Sequence, residues 1–505
     1  MRPNRIRTSL LVLMLFALAG LASAFDFAEL EKSVTKITLD NGLRVLVMER
    51  HEAPVASFVT FVNVGGADDP KEYTGLAHMF EHMAFKGTTT IGTKDIDAEL
   101  AAMKVEDSLW LAYRSERKKG SLADSTRLAE LFDQFNKAIE KAGAYVEPNE
   151  FDAILEREGV VGMNAGTGMD QTQYIMSLPS NRLELWMAME SERFYSPVLR
   201  EMYRERNVIT EERLQTLENN PIGMAISQLV AAAFTAHPYG APIIGHMSDI
   251  KNYSRDAAAK FYAKYYVPSN MIVAIVGDVE PKKVEKLAKK YFGRLKKSPR
   301  PEPIATVEPE QKGERRVTLV DPSQPLLGIG YHIPAETSPD WAALDAMADY
   351  LGSGPTSLLY KKLVKEEKIA VNVGSFGGYP ATKYPCLMLV YAFPSQGETN
   401  ERCELAIDSV IESLKAEPIP DEEVEKIKAR YKAGFIRSMQ SNLGMATSLA
   451  SYENMYGDWH KLFDELDKIN AVTAADIQRV AIQYLTKENR TVAWLETESN
   501  EEGGN

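Results

Sequence analysis

The chain has 505 residues, 45% of them hydrophobic and 26% charged, and a formal net charge of -13. That length exceeds what one hydrophobic core organises, so two or more domains are expected, and the composition is that of a globular rather than a disordered or fibrous protein. The negative balance argues against nucleic acid as a partner, because phosphate binding needs a basic face.

Residues 1–24 have the form of a secretory signal peptide: Arg2, Arg5 and Arg7, an apolar run from Leu10 to Leu21, then the small-residue cleavage site Ala22-Ser23-Ala24. The alternative is an uncleaved anchor, but the run is shorter than the ~20 residues a bilayer needs. The expectation is therefore an exported protein, periplasmic in a bacterium or secreted, with no stable membrane anchor. An N-terminal domain over 25–297 follows. Val34 to Arg50 places Asn41-Gly42 between two apolar runs, the signature of a hairpin. Val55 to Val64 alternates as a third strand. Residues 100–149 are charged and helix-favouring, broken at Lys119-Gly120 between amphipathic runs, and form an inserted helical hairpin. Its role is open between a solvated arm and a docking arm for a partner. Residues 298–313, rich in Pro and Glu and without periodicity, make a linker. A second domain over 314–505 restarts the strand pattern at Arg316 to Val320 and Leu326 to His332. Cys386 and Cys403 are the only cysteines, and neither is spaced like a metal ligand. Export permits a disulfide between them, although a domain with its own core does not need one.

The two domains echo one another. Ile250, Ser254, Tyr265, Asn270, Val273 and Ala274 recur at one constant offset as Ile469, Thr473, Tyr484, Asn489, Val492 and Ala493. Each set reads as a capped helix, a short turn carrying Asn, and a β-branched strand. The 100–149 insertion has no counterpart in the second copy.

Chemistry concentrates in Gly75-Leu76-Ala77-His78-Met79-Phe80-Glu81-His82-Met83. Residues four apart share a helix face, so His78 and His82 can address one zinc ion. Glu81 lies at the edge of that face, placed to be a base rather than a ligand. A catalytic zinc takes a third protein ligand and keeps a fourth position for water. The segment Tyr203 to Glu212 reads as a helix with Glu205 and Glu212 two turns apart on one face. Spacing alone leaves Glu212 balanced between a ligand and a solvated surface acid. His51, His246, His332 and His460 read as surface or core residues, and no Ser, Cys or Thr sits in a nucleophile motif.

The run from Gly75 to Thr88 resembles the inverted zinc motif of the pitrilysin and insulinase family, which includes mitochondrial processing peptidase. The resemblance covers essentially the whole mature chain. It implies an α+β fold of two homologous halves, each a mostly antiparallel sheet covered by helices. It implies Glu212 as third zinc ligand, Glu205 as a supporting carboxylate, and Glu81 as the base. Asn164-Ala165-Gly166-Thr167 resembles the family's strand whose edge pairs with substrate backbone, which implies Asn164, Ala165 and Gly166 in peptide binding. His237-Pro238-Tyr239-Gly240 with Pro242-Ile243 also resembles a family segment.

Two departures stand out. His82 and Glu212 are further apart than the family pattern, an excess that the insertion largely accounts for. Where active members carry an Arg and a later Tyr to bind the substrate carbonyl, this chain has Val364 and Val371, neither a hydrogen-bond donor. The function expected is a zinc-dependent endopeptidase that hydrolyses peptides or unfolded short proteins by metal-activated water. The missing pair calls for a homologous partner subunit in a heterodimer, unless another residue of the chain compensates. The alternatives are a non-catalytic assembly subunit and a peptide-binding module that uses zinc structurally.

Overall fold

A computed structural model describes residues 27–498, so the expected export signal lies outside the described residues. Two sheets carry the architecture. The first contains β1 (Val34–Thr38), β2 (Arg44–Glu49), β3 (Val55–Val62), β4 (Val161–Thr167), β5 (Thr172–Pro179) and β6 (Met271–Gly277), in the spatial order β1-β2-β6-β3-β5-β4. The second contains β7 (Arg315–Asp321), β8 (Leu326–Ile333), β9 (Ala370–Tyr379), β10 (Cys386–Pro394) and β11 (Arg490–Thr497), in the order β7-β11-β8-β10-β9. One parallel pair stands in each sheet, β2 with β6 and β7 with β11, and the other ladders are antiparallel. With β1 set aside, the two orders match strand for strand. The fold is α+β in two like halves.

The helices that position the site and join the halves are α1 (Leu76–Met83), α2 (Ile96–Arg117), α3 (Ser125–Gly143), α4 (Met202–Arg213), α5 (Pro221–Ala233), α6 (Arg255–Tyr265), α7 (Asn442–Tyr456) and α8 (Ala474–Tyr484). The residues of the echo have a common physical job. Ser254 caps α6 by accepting from the N–H of Ala257, and Thr473 caps α8 by accepting from that of Asp476. The Asn270 amide then donates to the carbonyls of Tyr265 and Asn63, each at 3.0 Å. Asn489 donates to those of Tyr484 and His332, each at 2.8 Å. One amide in each half thus ties a helix end to the neighbouring strand, and an apolar replacement would leave two carbonyls without these donors.

The halves exchange covers. Helix α5, from the first half, packs on β7, β8 and β11 of the second sheet. Helix α7, from the second half, packs on β3 and β6 of the first, where Met445, Ala446, Leu449 and Ala450 meet Phe61, Ile272 and Ala274. Gly328 and Gly330 on β8 allow the approach of α5: a Cβ at either would stand 3.1 Å from a Leu229 methyl. Fully buried Glu453 on α7 receives Lys36 at 2.8 Å and Arg44 at 2.9 Å. Each buried large apolar side chain contributes roughly 1.5–3 kcal/mol, so the halves are interlocked rather than merely adjacent. This also explains the uninterrupted apolar run of β6, a central strand buried on both faces.

The hairpin of α2 and α3, capped by Asp95 and Asp124, docks on α4 rather than standing free. Trp110 and Phe135 pack with Tyr203, whose hydroxyl donates to Asp107 at 2.8 Å. The Arg206 guanidinium lies 4.2 Å from the centre of the Trp110 ring. Buried ion pairs Arg200–Glu99 (2.7 Å) and Arg255–Glu106 (2.6 Å) anchor the same face. Residues 298–313 lack regular structure but are pinned: the Glu308 carboxylate accepts from the N–H groups of Thr235, Ala236 and His237 at 2.8–2.9 Å. Cys386 and Cys403 are buried and not paired. No helix among the described residues is long and apolar enough to cross a membrane.

Candidate metal centre

Helix α1 begins at Gly75, whose φ of +90° suits glycine, and a Cβ there would stand 2.4 Å from the Ile244 carbonyl oxygen. The Asp69 carboxylate accepts from the N–H groups of Gly75 (2.6 Å) and Ala77 (2.9 Å), satisfying donors that the helix start leaves free. Leu76, Ala77, Met79, Phe80 and Met83 are buried. The residues left over, His78, Glu81 and His82, form one polar stripe at helical spacing.

Helix α4 brings its acids to that stripe. His78 Nε2 stands 3.5 Å from Glu212 Oε1, and His82 Nε2 stands 3.5 Å from Glu212 Oε2. One ligand atom from each of the three residues lies within 4.8 Å of the others, and among the described residues this is the one such group. The contacts are longer than good hydrogen bonds, which run to about 3.2 Å. Donors around a tetrahedral zinc at about 2.0–2.2 Å are separated by about 3.3–3.6 Å, so the 3.5 Å spacings fit groups sharing an ion better than groups bonded to each other. Two neutral imidazoles and a carboxylate suit zinc chemically as well.

The surroundings set the charges. Burial, with the neighbouring His82 second, pushes the His78 ring down to about 4, so it is neutral at ordinary pH and its lone pair is free to bind. For His82 burial opposes the charge, but the hydrogen bond to Glu205 and the charges of Glu212, Glu205 and Glu81 outweigh it and raise the ring above its usual range. His82 Nδ1 donates to Glu205 Oε2 at 3.3 Å, which leaves Nε2 unprotonated in the neutral ring and aimed at Glu212. Lys86 Nζ lies 2.6 Å from Glu205 Oε1. Burial raises the Glu205 carboxyl, but His82 and Lys86 together hold it below the usual carboxylate range.

Glu81 does not join the cluster. Its Oε2 accepts from the Thr167 hydroxyl at 2.6 Å, at the end of β4. That strand is the outermost of its sheet, so the edge away from β5 is unpaired, and Asn164 on it is exposed. Asn164, Ala165 and Gly166 pair in register with Ile175, Tyr174 and Gln173 of β5. Tyr239, in the segment after the metal helices, donates to Asp170 at 2.6 Å and meets the second half at the Tyr384 N–H. His51, His246, His332 and His460 lie outside the cluster; His332 Nε2 donates to the Ala233 carbonyl oxygen, 3.1 Å away.

Sequence reasoning did not single out Lys86 or Asp69. Both lie within nine residues of a site histidine, but nothing in the spacing reveals that one reaches Glu205 on another helix and the other caps α1.

The model for the insulinase family, peptidase family M16, matches residues 44–108 and 120–246, and the model for the peptidase M16 inactive domain matches residues 252–431. The chain is 29% identical over 470 residues to a zinc protease, PqqE, of Helicobacter pylori, covering 91% of this chain and 92% of that one. It is 23% identical to a probable mitochondrial-processing peptidase subunit beta of Arabidopsis thaliana, covering 89% and 75%. A solved protease structure from Helicobacter pylori superposes with a TM-score of 0.77 at 28% identity, covering 92% of this chain and 99% of that one. With a matching fold and family models spanning both halves, the chain belongs to the pitrilysin and insulinase family of peptidases, M16.

Proposed function

We propose that this chain is the zinc-bearing catalytic subunit of an exported endopeptidase acting on peptides or unfolded short proteins. The observation that carries the proposal is the convergence of His78 Nε2, His82 Nε2 and the Glu212 carboxylate beside a separately held Glu81. His78, His82 and Glu212 hold the metal, and Glu205, itself charge-paired with Lys86, fixes the His82 ring. Zinc, when bound, supplies a Lewis acid and lowers the pKa of a water to about 7. Thr167 occupies Glu81 Oε2 and leaves Oε1 to take the water proton and return it to the departing amine. The free edge of β4, through Asn164, Ala165 and Gly166, pairs with the substrate backbone and holds it extended across the site.

Val364 and Val371 offer no donor to the developing oxyanion, and the lack of one such donor costs about a hundredfold or more in rate. A homologous partner subunit that brings an Arg and a Tyr restores it. The names of the relatives, a zinc protease and a processing-peptidase beta subunit, support the chemistry. The arginines before Leu10 and the small residues at Ala22-Ser23-Ala24 support export, to a periplasm in a bacterium.

The test is zinc content and peptide hydrolysis of the purified chain, its Glu81→Gln variant, and the complex recovered from the native host. The expected pattern is zinc in all three, hydrolysis lost in Glu81→Gln, and a rate gain of about a hundredfold in the complex. Full-rate cleavage by the chain alone refutes the partner. Unchanged cleavage by Glu81→Gln refutes the base.

A further inference from the structure

Arg200 stands two residues before α4, and its side chain is 1% exposed. A guanidinium carries five N–H groups, and here five hydrogen bonds match them. Nε donates to Glu99 Oε1 at 2.7 Å and Nη2 to Glu99 Oε2 at 3.4 Å. The other three go to main chain: Nη1 to the carbonyls of Lys86 (2.7 Å) and Ile91 (2.8 Å), and Nη2 to that of Thr88 (2.6 Å). The chain that leaves α1 is thus wrapped round this one side chain. Gly87 and Gly92, with φ of +87° and +84°, permit the wrap, because a Cβ at either would stand 2.8 Å from Nη1. An arginine that only countered the charge of Glu99 would need none of these carbonyls.

The same loop leads to the metal centre. Lys86, whose carbonyl Arg200 holds, extends its ammonium to Glu205 Oε1 at 2.6 Å, and Glu205 Oε2 accepts from His82 at 3.3 Å. On the reading that His82 is a zinc ligand, we propose that Arg200 is a positioning residue for the metal. It fixes the backbone of Lys86 against the head of α4, so that the Lys86 ammonium meets the Glu205 carboxylate and the His82 ring keeps its angle. Such a contact acts by removing alternatives. A lysine free to swing leaves Glu205 free to turn, and an imidazole that is not held loses affinity for the ion. What spans five acceptors at once is the planar fork of arginine; lysine gathers three donors on one nitrogen.

The experiment is a double-mutant cycle on zinc affinity, read by chelator competition, with urea unfolding of the metal-free proteins alongside. Arg200→Lys and Lys86→Met should each weaken zinc binding about tenfold. The two together should also weaken it about tenfold, because they cut one path, whereas independent effects would multiply to about a hundredfold. Val480→Ala, a buried truncation on α8 in the other half, should lower the urea midpoint and leave the zinc affinity unchanged. If Arg200→Lys does not fold, Glu99→Gln takes its place in the cycle, keeping the shape beside the guanidinium and removing the charge that holds it. A smaller loss, again absent in the Lys86→Met protein, is then expected. Parent-like affinity in the substituted protein, effects that multiply, or a loss in Val480→Ala equal to that in Arg200→Lys overturns the proposal. A parent that binds no zinc sinks the reading of the metal centre itself, and this proposal with it.

Discussion

Replacing Glu205 by Gln tests how much of the proposed centre lies beyond its three proposed ligands. The glutamate accepts from His82 at 3.3 Å and from Lys86 at 2.6 Å, and its side chain is only 11% exposed. Gln keeps the size and one acceptor, so packing on α4 is retained. The variant loses the negative charge that makes the His82 ring a better donor to a cation, and among the described residues it leaves Lys86 with Glu201, 3.8 Å away, as its ion-pair partner. Loss of a carboxylate that orients a ligating histidine typically costs tenfold to a hundredfold in metal affinity, about 1.4–2.7 kcal/mol. Competition with a chromogenic chelator at fixed pH should therefore give a zinc dissociation constant weaker by that factor. Glu212→Gln should cost more, because it alters a donor itself. At saturating zinc, the Glu205 variant should recover most of its turnover. A zinc affinity within twofold of the parent would refute the role assigned to Glu205, and a loss equal to that of Glu212→Gln would mean the acids have been ordered wrongly.

Trp110→Ala removes the aromatic contact between the hairpin and α4 and should lower stability by about 3–5 kcal/mol in urea unfolding, with weaker zinc binding as α4 loosens. Gly75→Ala combines a left-handed backbone with a Cβ 2.4 Å from a carbonyl oxygen and should cost about 2–5 kcal/mol in the same assay. Asp68 has its carboxyl raised to about 6, first by burial, against the Gly65 N–H and Lys383, which oppose the rise. A raised folded-state pKa means stability that is full below about 4 and is lost as pH climbs through 6. Asp68→Asn should match the parent near pH 3.5 and exceed it by up to about 3 kcal/mol at pH 7, read from urea midpoints across that range.

The legible parts of the fold were those fixed by local chemistry. Asn41-Gly42 marked the first hairpin because Gly42 takes a φ of +94°, and the paired Asn270 and Asn489 marked equivalent strands because each closes a helix onto its sheet. No motif marked β9 and β10, and their match to β4 and β5 emerges only from the two sheet orders. The exchange of α5 and α7 was not legible. An apolar helix face shows the same periodicity whichever sheet it covers, so the pattern predicts burial and not address. The role of the hairpin was hidden for a related reason: Trp110 and Phe135 announce an apolar face, and only the placement of Tyr203 says that α4 receives it. At the candidate site, His78, Glu81 and His82 were singled out by helical spacing. Glu212 needed the family resemblance, since seven-residue spacing in a charged helix is common. Lys86 and the Thr167 contact to Glu81 join separate elements, and such pairings are a property of the folded chain alone.

The crossing of covers has a consequence for how the chain is made. When β6 has been synthesised, the first sheet is complete in strands, yet the apolar side chains Phe61, Ile272 and Ala274 still have no lid. Their lid is encoded near residues 442–456, a wait of roughly 10–40 s at ordinary rates of translation. During that interval the growing polypeptide presents a sticky surface it cannot hide by itself, and a fragment stopped after the first half would keep that surface for good.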